Sequence, residues 1–165
     1  MKHVSKSRWC KILCTLAIMY ICVVLIYAIA SREMAISGHC QENMRLIYQT
    51  TAIYAMDYDS HYPLEAHWTD SLKPYAHTVH SQRPKYDKTK MFSCPVLSHG
   101  SGYGYNADLS SKSLSSVLFP ETTVMLFETD HLEINYSSHK TVLPANPRHG
   151  GNWELYADGH RRASH

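Results

Sequence analysis

The chain has 165 residues, of which 44% are hydrophobic and 18% are charged, and its formal net charge is +2. Four of its 16 basic residues fall within the first eleven positions, so the rest of the chain carries 12 basic and 14 acidic residues and is slightly acidic. This charge balance gives no electrostatic footprint for nucleic acid, which is therefore not an expected partner.

Residues 12–31 form an uninterrupted run without a charged side chain. At about 1.5 Å per residue, a helix of this length spans the roughly 30 Å hydrocarbon core of a bilayer. The basic residues before it predict a cytoplasmic stub over residues 1–11 and export of residues 32–165. The sequence thus predicts a single-pass inner-membrane protein with a periplasmic or extracellular domain. Ala28-Ile29-Ala30 resembles a cleavage site, so a removed signal peptide is the alternative, although the length of the run favours a retained anchor.

An amphipathic pattern follows the apolar run without an intervening Pro. Apolar and small side chains recur there at alternating spacings of four and three, which places them on one stripe of a helix: Cys40, Met44, Ile47, Thr51, Tyr54 and Tyr58. Pro63 predicts that this helix ends near Asp59. One continuous helix is therefore predicted to start in a membrane and to end in a water-soluble domain.

Short segments make up the rest of the chain. A short helix is predicted over residues 64–75 and a helical turn over 114–118, with strands over 91–94, 122–129 and 153–157 and a turn beside a strand at 100–106. Asp158-Gly159 is a hairpin signal, so His160 should begin a returning strand. Residues 131–147 are predicted to be irregular. A long helix followed by short strands indicates an α+β domain, with the helix packed on a small antiparallel sheet.

Only two of the five cysteines, Cys40 and Cys94, lie in the predicted exported domain. An even pair in an oxidising compartment predicts one disulfide. It would close a loop of about 54 residues and stabilise the domain by a few kcal/mol. Two buried free thiols are the alternative.

Several segments resemble, in the same order, type II secretion pseudopilins and type IV pilin-like proteins that carry a C-terminal H-x9-DG domain. The matching words are CQENMRLI from residue 40, FSCP from residue 92, YGYN from residue 103, PETTVMLFE from residue 120, and RHGGN and LYADGH from residues 148 and 155. The last two words contain the name-giving motif of the family: Arg148, His149, Gly150, Gly151, Asp158 and Gly159. The resemblance implies a pilin-like fold with a long N-terminal helix on a small sheet.

Two features depart from the family pattern. Eight residues separate His149 from Asp158, where the motif has nine. Residues 5–13 contain neither the Gly nor the Glu of a prepilin signal, so a prepilin peptidase has no obvious site. The resemblance implies a non-enzymatic, membrane-anchored component of a type II secretion or type IV pilus-like system, partnered through its N-terminal helix with other pilin-like subunits. The alternatives are an anchored binding module for Ca²⁺ or a glycan, and an envelope hydrolase.

One candidate metal site follows from the resemblance, which places Glu128 at the end of a central strand and His149 and Asp158 in the C-terminal motif. If these strands are neighbours, the three side chains meet, and Ca²⁺ would suit their oxygen atoms better than the imidazole. The alternatives are a hydrogen bond from His149 to a carboxylate that holds the loop, a hairpin turn at Asp158, or acid–base chemistry. The sequence predicts no catalytic residue and no cofactor beyond this Ca²⁺. The twelve scattered His residues include no pair at zinc-protease spacing.

Overall fold

The computed structural model describes residues 6–79 and 86–164. Two α-helices are present in this part of the chain: α1, Lys6–Asp57, and α2, Trp68–Leu72. The strands are β1, Tyr103–Asn106; β2, Val124–Glu128; β3, Ser137–Ser138; β4, Asn152–Tyr156; and β5, Arg161–Ser164. Short 3-10 helices occupy Glu65–His67, Lys73–Tyr75, Lys88–Phe92, Ala107–Leu109 and Leu114–Ser116. A long N-terminal helix with a small sheet confirms the predicted α+β class.

The chain divides into two compact units, Met1–Ala35 and Ile36–His165, and we call the second the C-terminal domain. In the first unit, the side chains of residues 11–30 are exposed on α1, including large apolar ones such as Ile18, Val23 and Ile26. This helix has the length and composition needed to cross a membrane. A candidate membrane segment near the N-terminus is thus present as predicted, while residues 1–5 of the predicted stub lie outside the described residues.

The later turns of α1 supply one side of the core of the C-terminal domain. The predicted stripe is buried from Cys40 to Tyr54, and it packs in one cluster with Leu126 of β2 and Leu155 of β4. Tyr58 differs from the prediction, because α1 ends at Asp57 and the Tyr58 ring remains 51% exposed.

The sheet has the strand order β3-β1-β2-β4-β5. The pairs β1–β2, β2–β4 and β4–β5 are antiparallel, as expected, and β4–β5 is the predicted hairpin. However, β3 pairs parallel to β1, so the sheet is mixed and not wholly antiparallel. β3 contains only Ser137 and Ser138, within a segment predicted to be irregular, and two serines carry no strand periodicity from which it could be predicted.

The strand predicted over residues 91–94 is wrong, because Lys88–Phe92 forms a 3-10 helix. Met91 and Phe92 are buried in the core, and their apolarity produced the strand prediction. The chain turns directly after them, where the backbone N–H of Ser93 donates to the carbonyl of Lys90 at 3.1 Å. A pair of apolar residues is too short to distinguish a buried strand from a buried helical turn.

Trp68 is the largest side chain that is fully buried in the domain. Its ring stacks on Tyr105 at a centroid distance of 5.7 Å and meets Phe92 edge-on at 6.0 Å. Its indole N–H donates to the carbonyl of Tyr136 at 3.1 Å. The indole therefore joins α2 to β1 and to the segment that leads into β3, with its polar atom satisfied.

Candidate functional site

Four potential metal-ligating side chains converge in the interior of the C-terminal domain. Cys40 comes from α1, Cys94 from the loop before β1, Glu128 from the end of β2, and His149 from the loop before β4. All four are buried, and one ligand atom from each lies within 4.8 Å of all the others. We call these four residues the Cys–Glu–His cluster.

Two atoms, Oε1 of Glu128 and Nε2 of His149, each take part in two contacts within the cluster. The Cys40 thiol donates to Oε1 of Glu128 at 2.7 Å. Nε2 of His149 lies 3.3 Å from the same Oε1 and 3.2 Å from Sγ of Cys94. The other side-chain nitrogen of His149, Nδ1, is buried without a hydrogen-bond partner in the described part of the chain.

Groups around the cluster fix its side chains. Oε2 of Glu128 accepts the backbone N–H of Trp153 at 3.0 Å, so β4 holds the carboxylate of β2. The hydroxyl of Tyr103 lies 3.2 Å from Sγ of Cys40. Arg148 donates from Nη1 to the carbonyl of Thr129 and from Nη2 to that of Gly102, each at 2.9 Å. These two bonds attach the loop that carries His149 to the segments that follow β2 and precede β1.

Glycine is required in the loop that presents Cys94. Gly100 has φ +79°, and a Cβ there would lie 2.5 Å from the carbonyl oxygen of Leu132. The adjacent Ser101 accepts the backbone N–H of Cys94 at 2.8 Å and donates its own N–H to Leu132 at 3.0 Å. A side chain at Gly100 would strain the left-handed backbone and separate these bonded segments, because it would clash with main chain.

Proximity and burial shift the pKa values of the cluster in opposite directions. The neighbouring Cys40 thiol and the hydrogen bond from His149 lower the pKa of Cys94 to about 4 against the opposing effect of burial. Burial raises the pKa of Cys40 well above its usual value. Burial opposes charging of His149, yet its hydrogen bonds to Cys94 and Glu128 raise its pKa to about 9. Near neutral pH, the metal-free cluster therefore contains a thiolate at Cys94, an imidazolium at His149 and a carboxylate at Glu128. The thiol of Cys40 stays neutral.

These shifts predict a biphasic pH dependence for the reduced, metal-free domain. Between pH 4 and 6.5 the unfolded state holds one more proton than the folded state, on Cys94, so stability rises with pH by up to about 1.4 kcal/mol per pH unit. Between pH 6.5 and 9 the folded state holds an additional proton on His149, which cancels the effect of Cys94. Above pH 9 only the folded state keeps the Cys40 proton, so stability falls.

The measurement is the urea midpoint of the full chain in detergent micelles, with chelator and reductant present, across this range. Cys94→Ala should remove the rise between pH 4 and 6.5, since it deletes the group responsible. A wild-type stability that does not change between pH 4 and 6.5 would contradict the thiolate assignment.

The structure brings together only part of the predicted metal site. Glu128 and His149 meet, as expected from neighbouring strands. Asp158 does not join them, because it is exposed in the β4–β5 turn, where its Oδ1 accepts the backbone N–H of His160 at 3.0 Å and Gly159 adopts φ +92°. The structure therefore does not bring Asp158 to Glu128 and His149, and the carboxylate of Asp158 is hydrogen-bonded within the hairpin turn.

The predicted disulfide is not formed in the structure, where Cys40 and Cys94 are both free cysteines. Their sulfur atoms lie within 4.8 Å of each other, but the Cys40 thiol is directed to Glu128 and Sγ of Cys94 to His149. The sequence thus predicted all four residues of the cluster as candidates, but as two separate features. It missed Tyr103, which only the register of β1 places beside Cys40.

The geometry of the cluster differs from a nucleophile–histidine–carboxylate triad. In a triad, the nucleophile and the carboxylate use different nitrogens of the imidazole, so that one nitrogen takes the proton of the nucleophile while the carboxylate orients the ring through the other. Here Sγ of Cys94 and Oε1 of Glu128 both lie beside Nε2 of His149. Atoms that converge on one point in this way are arranged to share a proton or a cation.

A cleft of about 840 Å³ borders the cluster on one side. Its lining residues include Asn43 of α1, Lys90, Ser93 and Cys94. Cys94 therefore belongs both to the wall of the cleft and to the buried cluster.

Comparison of the chain with models of protein families, with curated proteins and with solved structures gives no match.

Proposed function

We propose that this protein is a membrane-anchored, pseudopilin-like structural component of a type II secretion or type IV pilus-like system, without enzymatic activity. The observation that carries the proposal is α1, a single helix of 52 residues. Its first part is apolar and exposed, and its last turns are buried in the C-terminal domain. A helix of this kind anchors the chain in lipid and offers its apolar surface to similar helices, which associate in membranes through close packing.

The segments that resemble pilin-like proteins support the same proposal. The words that begin at residues 92, 120, 148 and 155 lie around the sheet and the Cys–Glu–His cluster, and they position the ends of β2 and β4. In this chain these segments supply strands of the sheet and three of the four cluster residues.

Anchorage is tested by the mass of the protein recovered from membranes of its native host after alkaline extraction. We expect an intact chain that begins at Met1 and stays with the membrane fraction. A soluble product cleaved after Ala30 would overturn the anchor and leave a free secreted domain.

Assembly is tested by site-specific photo-crosslinking in the same membranes. A photoreactive residue in place of Val23, which is 63% exposed on the apolar part of α1, is expected to form adducts with other copies or with other pilin-like proteins. The matched control places the same residue at Trp9, near the start of α1, where adducts with neighbouring helices should be fewer. Lipid adducts alone at Val23 would overturn assembly and leave a solitary anchor.

A further inference from the structure

We propose that the Cys–Glu–His cluster is a binding site for one zinc ion, with its two sulfur atoms, Oε1 of Glu128 and Nε2 of His149 as the four ligands. The proposal is independent of whether α1 assembles with other helices, because all four ligands lie within the C-terminal domain.

The donor set selects the ion. Zn²⁺ binds thiolate sulfur, imidazole nitrogen and carboxylate oxygen, and its structural sites hold four such ligands in a tetrahedron. Ca²⁺ takes six to eight oxygen ligands, whereas this cluster offers two sulfurs and one nitrogen among its four donors. These donor atoms therefore favour a thiophilic cation over the predicted Ca²⁺.

Three of the six ligand-to-ligand separations can be compared with those of a tetrahedral zinc site, and all six are within 4.8 Å. With Zn–S near 2.3 Å and Zn–N or Zn–O near 2.0–2.2 Å, ligand atoms lie about 3.3–3.8 Å apart. The Cys94–His149 and His149–Glu128 contacts measure 3.2 and 3.3 Å, and the Cys40–Glu128 contact measures 2.7 Å. Of these three contacts, only the last, a hydrogen bond, has to open, by about 1 Å. Binding of the ion releases the thiol proton of Cys40 and the Nε2 proton of His149.

The carboxylate is already oriented to bind through one oxygen. Oε2 of Glu128 is held by the backbone N–H of Trp153, and Oε1 faces the sulfur of Cys40 and the imidazole. The hydroxyl of Tyr103 lies beside the sulfur of Cys40 and receives a hydrogen bond from Asn43 at 3.1 Å. Such surrounding bonds fix ligand orientation in zinc sites.

Burial gives the ion a further role. All four side chains are withdrawn from water, and the cluster contains a carboxylate and two ionisable thiols. Buried anionic groups are costly unless a cation compensates them, and a divalent ion bonded to all of them does so directly. The bound ion would join α1, the loop before β1, β2 and the loop before β4 at one point, and would thereby stabilise the domain.

The test uses the full chain, reduced and stripped of metal, in detergent micelles. Titration with Zn²⁺ against a chromophoric chelator should show one ion bound per chain. Titration with Co²⁺ should produce the sulfur-to-cobalt charge-transfer absorption and the visible bands of tetrahedral cobalt. Cys94→Ser should weaken Zn²⁺ binding by at least about 100-fold, since even surrounding residues of zinc sites contribute 10–100-fold. Cys22→Ser, in the apolar part of α1, is the matched control and should leave binding unchanged.

Three results would overturn the proposal. The first is recovery of the wild-type chain from native membranes with Cys40 and Cys94 joined as a disulfide and with no zinc. The Co²⁺ spectrum of the wild-type chain, folded by near-ultraviolet circular dichroism, could lack sulfur-to-cobalt absorption. Finally, Cys94→Ser could bind Zn²⁺ as tightly as the wild-type chain. The first two use no variant in the cluster, so a variant that fails to fold leaves the proposal open to refutation.

Discussion

Replacement of Trp68 by alanine is expected to lower the free energy of unfolding of the C-terminal domain by about 3–5 kcal/mol. The side chain is fully buried, so its removal forfeits the transfer free energy of an indole and leaves a cavity between Tyr105 and Phe92. It also deprives the carbonyl of Tyr136 of its hydrogen-bond donor. The measurement is urea unfolding of the full chain in detergent micelles, followed by near-ultraviolet circular dichroism.

The control for Trp68→Ala is Phe119→Ala. Phe119 is 64% exposed, so the loss of its ring should change the free energy of unfolding by no more than about 0.5 kcal/mol. Equal effects of the two substitutions would show that Trp68 is not the centre of the core.

Replacement of Glu128 by alanine is expected to destabilise the reduced, metal-free domain by about 3–5 kcal/mol, because it removes one partner of a buried ion pair. The imidazole of His149 loses the carboxylate at 3.3 Å, and the thiol of Cys40 loses its acceptor. The backbone N–H of Trp153 is left without its carboxylate partner. The same urea experiment, with chelator and reductant present, measures this loss.

Glu121→Ala is the matched control for Glu128→Ala, since it removes the same side chain from an exposed position seven residues earlier. Its effect should stay within about 0.5 kcal/mol. If Glu128→Ala is as mild as this control, the carboxylate is not coupled to the other buried groups, and the account of the cluster fails.

The sequence alone was sufficient to predict those helices and strands in which the local residue pattern agrees with the tertiary environment. The stripe from Cys40 to Tyr54 has helical spacing and one buried face, so its periodicity predicted both the helix and its contact with the core. β2 and the β4–β5 hairpin followed from β-branched residues and from Asp158-Gly159. Met91 and Phe92 show the limit of such patterns. Both residues are apolar because they are buried, and two apolar residues of a helical turn have the same pattern as a short buried strand.

The site was only partly predictable for a different reason. Cys40, Cys94, Glu128 and His149 are isolated from one another in the chain, and no motif spacing connects them. Only the sheet register, together with the position of α1, brings them together. The sequence offered two signals for the site: the pair of domain cysteines, and the pair of Glu128 with His149. No spacing rule along the chain indicates that the two pairs belong to one site.

The distribution of the four cluster residues along the chain also constrains the order of events during biogenesis. Cys40 lies near the start of the domain and His149 near its end, so only a nascent chain that already extends to residue 149 holds all four. Contacts of such long range form late, since the loop between them must close first. If the domain crosses the membrane as an unfolded chain, it cannot take an ion with it. The metal supply outside the cytoplasm, and not the cytosolic pool, would then decide which ion the finished protein carries.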